Sequence, residues 1–249
     1  MTDLELTFRL RTERRTINSQ TMALRAHLSL ETIYGSLTFF TTILHNVFLL
    51  YHVDIFVSVY KIDKFSFWIG EAIFLAWNSL NDPLFGWVSD SQYLQNKNSR
   101  RDSLTSNWDI ISIRLSALQQ FGPLFAVSFS LFWINWSWPS LQFAVCLCLY
   151  DGFLTMIDLH HSALLADLSV SGDKRTRLNS RCSIFSALGS LSVFLSYLFW
   201  NKSNIASFRN LCFLLAIISF VGYIFMVKAM KSACVRKFKG KSNSSSTSL

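Results

Sequence analysis

Six apolar runs constrain this chain more than anything else in its 249 residues. They lie near 33–57, 67–88, 116–135, 140–162, 183–200 and 208–229, and each is long enough to cross about 30 Å of hydrocarbon at 1.5 Å per helical residue. Hydrophobic residues make up 51% of the chain and charged residues only 15%, a balance that suits lipid better than water. The expected fold is an all-α membrane protein with six transmembrane helices.

The basic residues set the orientation, because Lys and Arg collect in cytoplasmic loops. With both termini inside, only Lys61, Lys64, Lys202 and Arg209 of the 23 Lys and Arg fall on the outer side. An odd number of spans would scramble that alternation. The chain therefore divides into a basic N-terminal cytoplasmic segment over 1–30, a six-span bundle over 31–232, and a basic, then Ser-rich, disordered cytoplasmic tail over 233–249. The +8 net charge is accounted for by topology and by attraction to anionic lipid, and no aromatic-interleaved basic stripe points to nucleic acid. No cleaved signal peptide is evident, and the first span is expected to act as the insertion signal. The sequence does not distinguish plasma membrane from endomembrane.

Polar residues inside the spans share helix faces. Glu71, Asn78 and Asp82 in the second run are spaced seven and four, and Asp151, Thr155 and Asp158 in the fourth are spaced four and three. Thr38, Thr42, His45 and His52 follow one side of the first run, and Ser183, Ser186, Ser190 and Tyr197 one side of the fifth. Hydroxyls alone serve as interhelical glue. Carboxylates in hydrocarbon cost several kcal/mol, and they mark ion or substrate paths. Asp82 and Asp158 both lie to the cytoplasmic side of mid-span, where they could converge on one Na⁺ or H⁺. Asn81-Asp82-Pro83 followed by Gly86 has a second reading, a helix break whose freed backbone groups the Asp satisfies.

His160, His161 and Asp167 invite a metal reading, which fails because adjacent histidines diverge by about 100° on a helix. Cys146, Cys148, Cys182, Cys212 and Cys234 lie in or beside spans with no framework spacing and read as small apolar residues. No phosphate loop, nucleophile elbow or His-Glu-x-x-His appears, so neither an enzyme nor a cofactor is expected. Two sequons, at Asn135 and Asn201, fall on the expected outer side.

Tyr34-Gly35, Tyr51-x-x-Asp54, WNSLNDPLFGW from Trp77 to Trp87, and LYDGFLTMIDLHHSALLADL from Leu149 to Leu168 are more specific. The pattern resembles the glycoside–pentoside–hexuronide:cation symporters, a melibiose-permease-like branch of the major facilitator superfamily. That resemblance implies twelve spans in two six-helix halves, each half a 3+3 inverted repeat, with substrate held between the halves. This chain resembles the first half only, as a truncated form would. By the resemblance, Asp82 and Asp158 match cation-coordinating carboxylates, and Asn78 stands where the family has a third. Thr38 is nearest in register to a sugar-binding carboxylate, and Arg181 falls near a fifth-helix arginine. With His45, Asp151 and Thr155, these two are the residues expected to line the solute.

Two functions follow from different classes. One is a cation-coupled symporter of a sugar or other small polar solute, completed by a second copy or a full-length relative. The other is a non-transporting interaction or regulatory protein that acts through a membrane partner.

Overall fold

The computed structural model describes residues 29–98, 103–169, 171–202 and 204–245, all in helices and short connections. Most of the N-terminal segment, Arg100, Arg101 and the last four residues lie outside that set. Six helices follow one another: α1 Leu30–Asp54, prolonged by a π turn Ile55–Val59, α2 Lys64–Asn98, α3 Ser103–Leu131, α4 Pro139–Leu168, α5 Gly172–Phe199 and α6 Ala206–Ser245. Five are long and apolar enough to span a membrane, and α2, with its embedded Glu71, Asn78, Asn81 and Asp82, is the one that falls short on composition.

Local chemistry sets the helix ends. Ser29 caps α1 by accepting from the Thr32 N–H at 3.2 Å, and Pro139 opens α4 where a missing N–H costs nothing. The apolar run 116–135 outlasts its helix, which stops at Leu131. The fully buried Gln142 holds the turn that follows: its amide donates to the Leu131 and Ile134 carbonyls at 3.0 and 2.6 Å, and its oxygen accepts from the Trp136 N–H at 3.3 Å. Helix α5 starts eleven residues before its apolar run, so Lys174, Arg175, Arg177 and Arg181 are helical. Helix α6 runs well past 229 and takes in 233–245, part of the tail expected to be disordered; its Lys, Ala and Met residues favour helix, and Gly240 alone interrupts them.

Helices α2, α4, α1 and α5 form a front row, with α3 and α6 packed together behind it. The main packing pairs are α1–α5, α1–α6, α3–α4, α2–α4 and α3–α6, and the set maps onto itself when helices one to three are exchanged for four to six. Since α1 and α4 run in opposite directions, this is a 3+3 inverted repeat. Lipid supplies no hydrophobic drive between helices, so close fit holds them. At Gly122 a Cβ would overlap the Tyr223 ring, and at Gly35 it would come within 2.8 Å of the Arg181 backbone. Edge and stacked rings fill the centre, among them Phe48 on Tyr150 at 3.9 Å and Trp133 on Phe208 at 5.3 Å, in a geometry worth about 1 kcal/mol per pair beyond area.

Candidate functional site

The two carboxylate stripes meet. Asn78 and Asp82 from α2 and Asp151, Thr155 and Asp158 from α4 line one open cleft of about 700 Å³, and Thr155 Oγ1 donates to Asp82 Oδ1 at 3.3 Å. Glu71, on the same α2 stripe, is not among the lining residues. Pro83 does not break α2, which is continuous from Lys64 to Asn98; the helix-break reading of Asn81-Asp82-Pro83 is corrected on that point. Asn81 sits one residue, and so about 100°, off the stripe, which turns its amide onto α4. There it is fully buried and donates from Nδ2 to Asp151 Oδ2, with its own Oδ1 unpartnered among the described residues. Among the described residues the cleft thus holds three carboxylates and no basic side chain. Asn78 carries no charge, but Asp151 brings a carboxylate from the facing helix.

A second, more enclosed cavity of about 250 Å³ lies between α1, α4 and α5. Thr38, Thr41, Thr42, His45 and Asn46 line it from α1, Asp158 and His161 from α4, and Ser186 from α5. His45 Nδ1 is 3.2 Å from Tyr150 Oη, and Thr38 Oγ1 has no partner among the described residues. At one wall Tyr34 stacks on His161 with centroids 4.1 Å apart and donates from Oη to the His161 carbonyl at 2.9 Å. Asp158 and Leu154 line both cavities. No residue of α3 or α6 lines either.

Thr38 and His45 are therefore in the enclosed cavity, whereas Asp151 and Thr155, expected beside a solute, are in the carboxylate cleft. Arg181 lines neither: its side chain is exposed, and its backbone packs on Gly35. On α5, Ser190 accepts from Asn46 Nδ2 at 3.0 Å, Ser183 bonds back to the Asn179 carbonyl at 3.1 Å, and Tyr197 is 75% exposed. His52 Nδ1–H donates to the Phe48 carbonyl at 2.9 Å, within its own helix. His160 and His161 do diverge, His160 stacking on Phe121 of α3 at 6.3 Å while His161 faces Tyr34. Among the described residues no three His, Cys, Asp or Glu come together as a metal group. Asn46, Asn81 and His161 are the participants that helix-face spacing missed. Asn46 is the neighbour of His45 and Asn81 the neighbour of Asp82, so widening each stripe by one position finds both, and His161 follows Asp158 by three, which continues the α4 stripe.

Ion pairs clasp both ends of the bundle. At the Arg-rich end Arg114 Nε meets Asp167 Oδ2 at 2.5 Å, joining α3 to α4. At the other, Lys202 Nζ meets Asp54 Oδ1 at 2.8 Å, tying the end of α1 to the α5–α6 connection.

Against known proteins, the family described as MFS/sugar transport protein matches residues 33–249. Transmembrane protein 180 of Gallus gallus is 56% identical over 221 residues, covering 89% of this chain and 43% of the relative. Its Mus musculus counterpart is 57% identical over 204 residues, 82% of this chain and 39% of the relative. The chain spans less than half the length of these relatives. No solved structure matches it.

Proposed function

We propose that this chain, which belongs to the MFS/sugar transport protein family and is a multi-pass membrane transporter-like protein, contributes one wall of a cation-coupled carrier for a sugar or another small polar solute. The cation, Na⁺ or H⁺, occupies the α2–α4 cleft against Asp82, Asp158 and Asn78, with Asp151 and Thr155 beside them. Hard oxygen ligands and uncompensated negative charge suit such an ion. The solute uses the α1–α4–α5 cavity, where Thr38, Thr42, His45 and Asn46 offer hydroxyl, imidazole and amide partners. Arg181 drops out of that set.

One observation carries the reading: Asp158 lines both cavities. A cation that moves or neutralises that carboxylate changes the wall the solute meets, and linkage makes the effect mutual. Both termini are cytoplasmic in this reading, and the second wall comes from a second copy or a longer relative. The test is uptake of radiolabelled mono- and disaccharides into proteoliposomes under a Na⁺ or proton gradient. Gradient-driven uptake lost in Asp158→Asn supports the carrier. Uptake that ignores both gradients, or survives that substitution, defeats it.

The open side of the α2–α4 cleft favours a second reading. In that reading the six helices bind a membrane partner and regulate it without flux. Association that persists unchanged in Asp82→Asn and Asp158→Asn, with no uptake, is its signature.

A further inference from the structure

Helices α3 and α6 line neither cavity, and the seam between them lies behind the front row. A partner that closes the α2–α4 cleft would not reach it. Across their whole length α3 and α6 carry a single carboxylate, Asp109, while basic residues recur on both. At the Arg-rich end one of these, Lys231 of α6, is half-buried in the seam.

Lys231 Nζ donates to Ser116 Oγ at 3.1 Å and to Gln119 Oε1 at 2.8 Å, both on α3. Ser116 is held in turn, since its hydroxyl donates to the Ser112 carbonyl at 2.8 Å. Both acceptors are neutral, so the ammonium is fixed in place with its charge unanswered. Arg114 differs, because Asp167 meets its guanidinium. Among the described residues neither Lys231 nor Lys228 forms an ion pair. Asp109 stands seven residues from Ser116, about 10 Å nearer the end of α3. An ammonium has three N–H donors, so Lys231 keeps one for a further partner and Lys228 keeps all of its own.

Depth makes the unanswered charge costly. Ser116 opens the apolar run of α3 and Lys231 follows that of α6 by two residues, so their contact marks the edge of the hydrocarbon. Lys228 is exposed one turn, about 4.5 Å, further in, on a stem long enough to return its ammonium to the same level. Toward the membrane middle the seam turns apolar. Val127 lies eleven residues on from Ser116 and Phe220 eleven before Lys231, so each keeps the face of the polar residue to within about 20°. They are 47% and 38% exposed, and Ile217, one turn beyond Phe220, is 60% exposed. Two cations at headgroup depth, above an apolar groove between helices, complement one phospholipid: a phosphate at the ammoniums and an acyl chain along the seam.

We propose that the α3–α6 seam binds an anionic phospholipid of the leaflet at the Arg-rich end, its phosphate held by Lys231 and Lys228 and an acyl chain lying against Val127, Phe220 and Ile217. Net charge selects the lipid. A zwitterionic headgroup brings its own cation to a site that already has two, whereas an anionic one leaves them a full counter-charge. The site uses neither cavity and does not rest on the carrier reading.

The test is native mass spectrometry of the full chain titrated with phosphatidylglycerol or phosphatidylcholine, beside its melting temperature in nanodiscs of either lipid. One phosphatidylglycerol is expected to be retained in preference and to raise the melting point. Lys228 makes no side-chain bond among the described residues, so Lys228→Gln leaves the fold alone; it should weaken that retention about fivefold. Adding Lys231→Gln should weaken it further, while Lys231→Arg alone keeps it. Lys174→Gln with Arg177→Gln, at exposed cations of the same end on α5, is the control and should change little. Three outcomes overturn the proposal: equal retention of both lipids, an equal loss in the control pair, as diffuse attraction to all the basic residues would give, or the same stabilisation by inorganic phosphate alone.

Discussion

The α2–α4 cleft and the α1–α5 seam are both polar surfaces in a membrane bundle, and they treat their polar groups in opposite ways. Along the seam Asn46 bonds Ser190, Thr42 approaches Ser186 at 3.5 Å, and Ser192 donates to the Ile43 carbonyl at 3.3 Å, so side chains of one helix are consumed by the next. In the cleft Asp82 has one long bond from Thr155, and Asp151 has Asn81, but among the described residues no basic side chain answers any of the three carboxylates. A hydroxyl in a span is explained by its neighbour helix. A carboxylate without a counter-charge is left asking for a ligand.

Asp158 is where the two surfaces touch, and its substitution should break the contrast most. Asp158→Asn is expected to abolish the mutual enhancement of cation and solute, a coupling on the order of 5- to 150-fold where it exists. Thermal stabilisation by a sugar panel, measured with Na⁺ and with choline in its place, reads this directly; unchanged enhancement refutes the shared role. Asp82→Asn should act on the cleft alone. It is expected to weaken Na⁺ stabilisation about tenfold in concentration while cation-free solute binding stays the same. Equal loss in both assays would show that the two cavities are one site.

The seam should answer in stability only. Ser192→Ala removes the bond to the Ile43 carbonyl, and an interhelical bond of this type is worth about 0.6 kcal/mol, so a small drop in melting temperature is expected with no change in Na⁺ response. A large loss of Na⁺ response there would erase the distinction between seam and cleft. The smallest effect lies outside the membrane, at Asp63 before α2. The Ser66 hydroxyl and then its backbone N–H, the latter at 2.9 Å, hold Asp63 below the usual carboxylate range. A folded-state value below the unfolded one adds stability above the ordinary aspartate range, and that stability is lost as pH falls through the folded value. Asp63→Ala should therefore lower the melting point slightly at neutral pH and not at all in strong acid; a difference that grows with acidity would contradict the cap.

Much of this architecture is legible in the amino-acid sequence. Apolar length gave six helices because a bilayer admits little else, and spacing on a 3.6-residue turn placed Asn78 with Asp82 and Asp151 with Asp158. The Leu131 stop escaped, because Phe132 and Trp133 are as apolar as the helix before them and the signal sits eleven residues on, in Gln142. Arg181 was placed by register, which fixes neither the rotation of a helix nor what it faces.

Sequence by itself therefore determined the class of solvent, the helix count and the polar stripe on each helix, since hydropathy and helical period are properties of single segments. Tertiary structure alone decided that the stripes of α2 and α4 share a cleft, that Asn81 reaches Asp151 from off the stripe, and that Asp158 stands between two cavities. Those facts depend on which helices are neighbours and how each is turned about its axis. That is set by close fit at positions such as Gly35 and Gly122 in a medium where polarity no longer drives helices together.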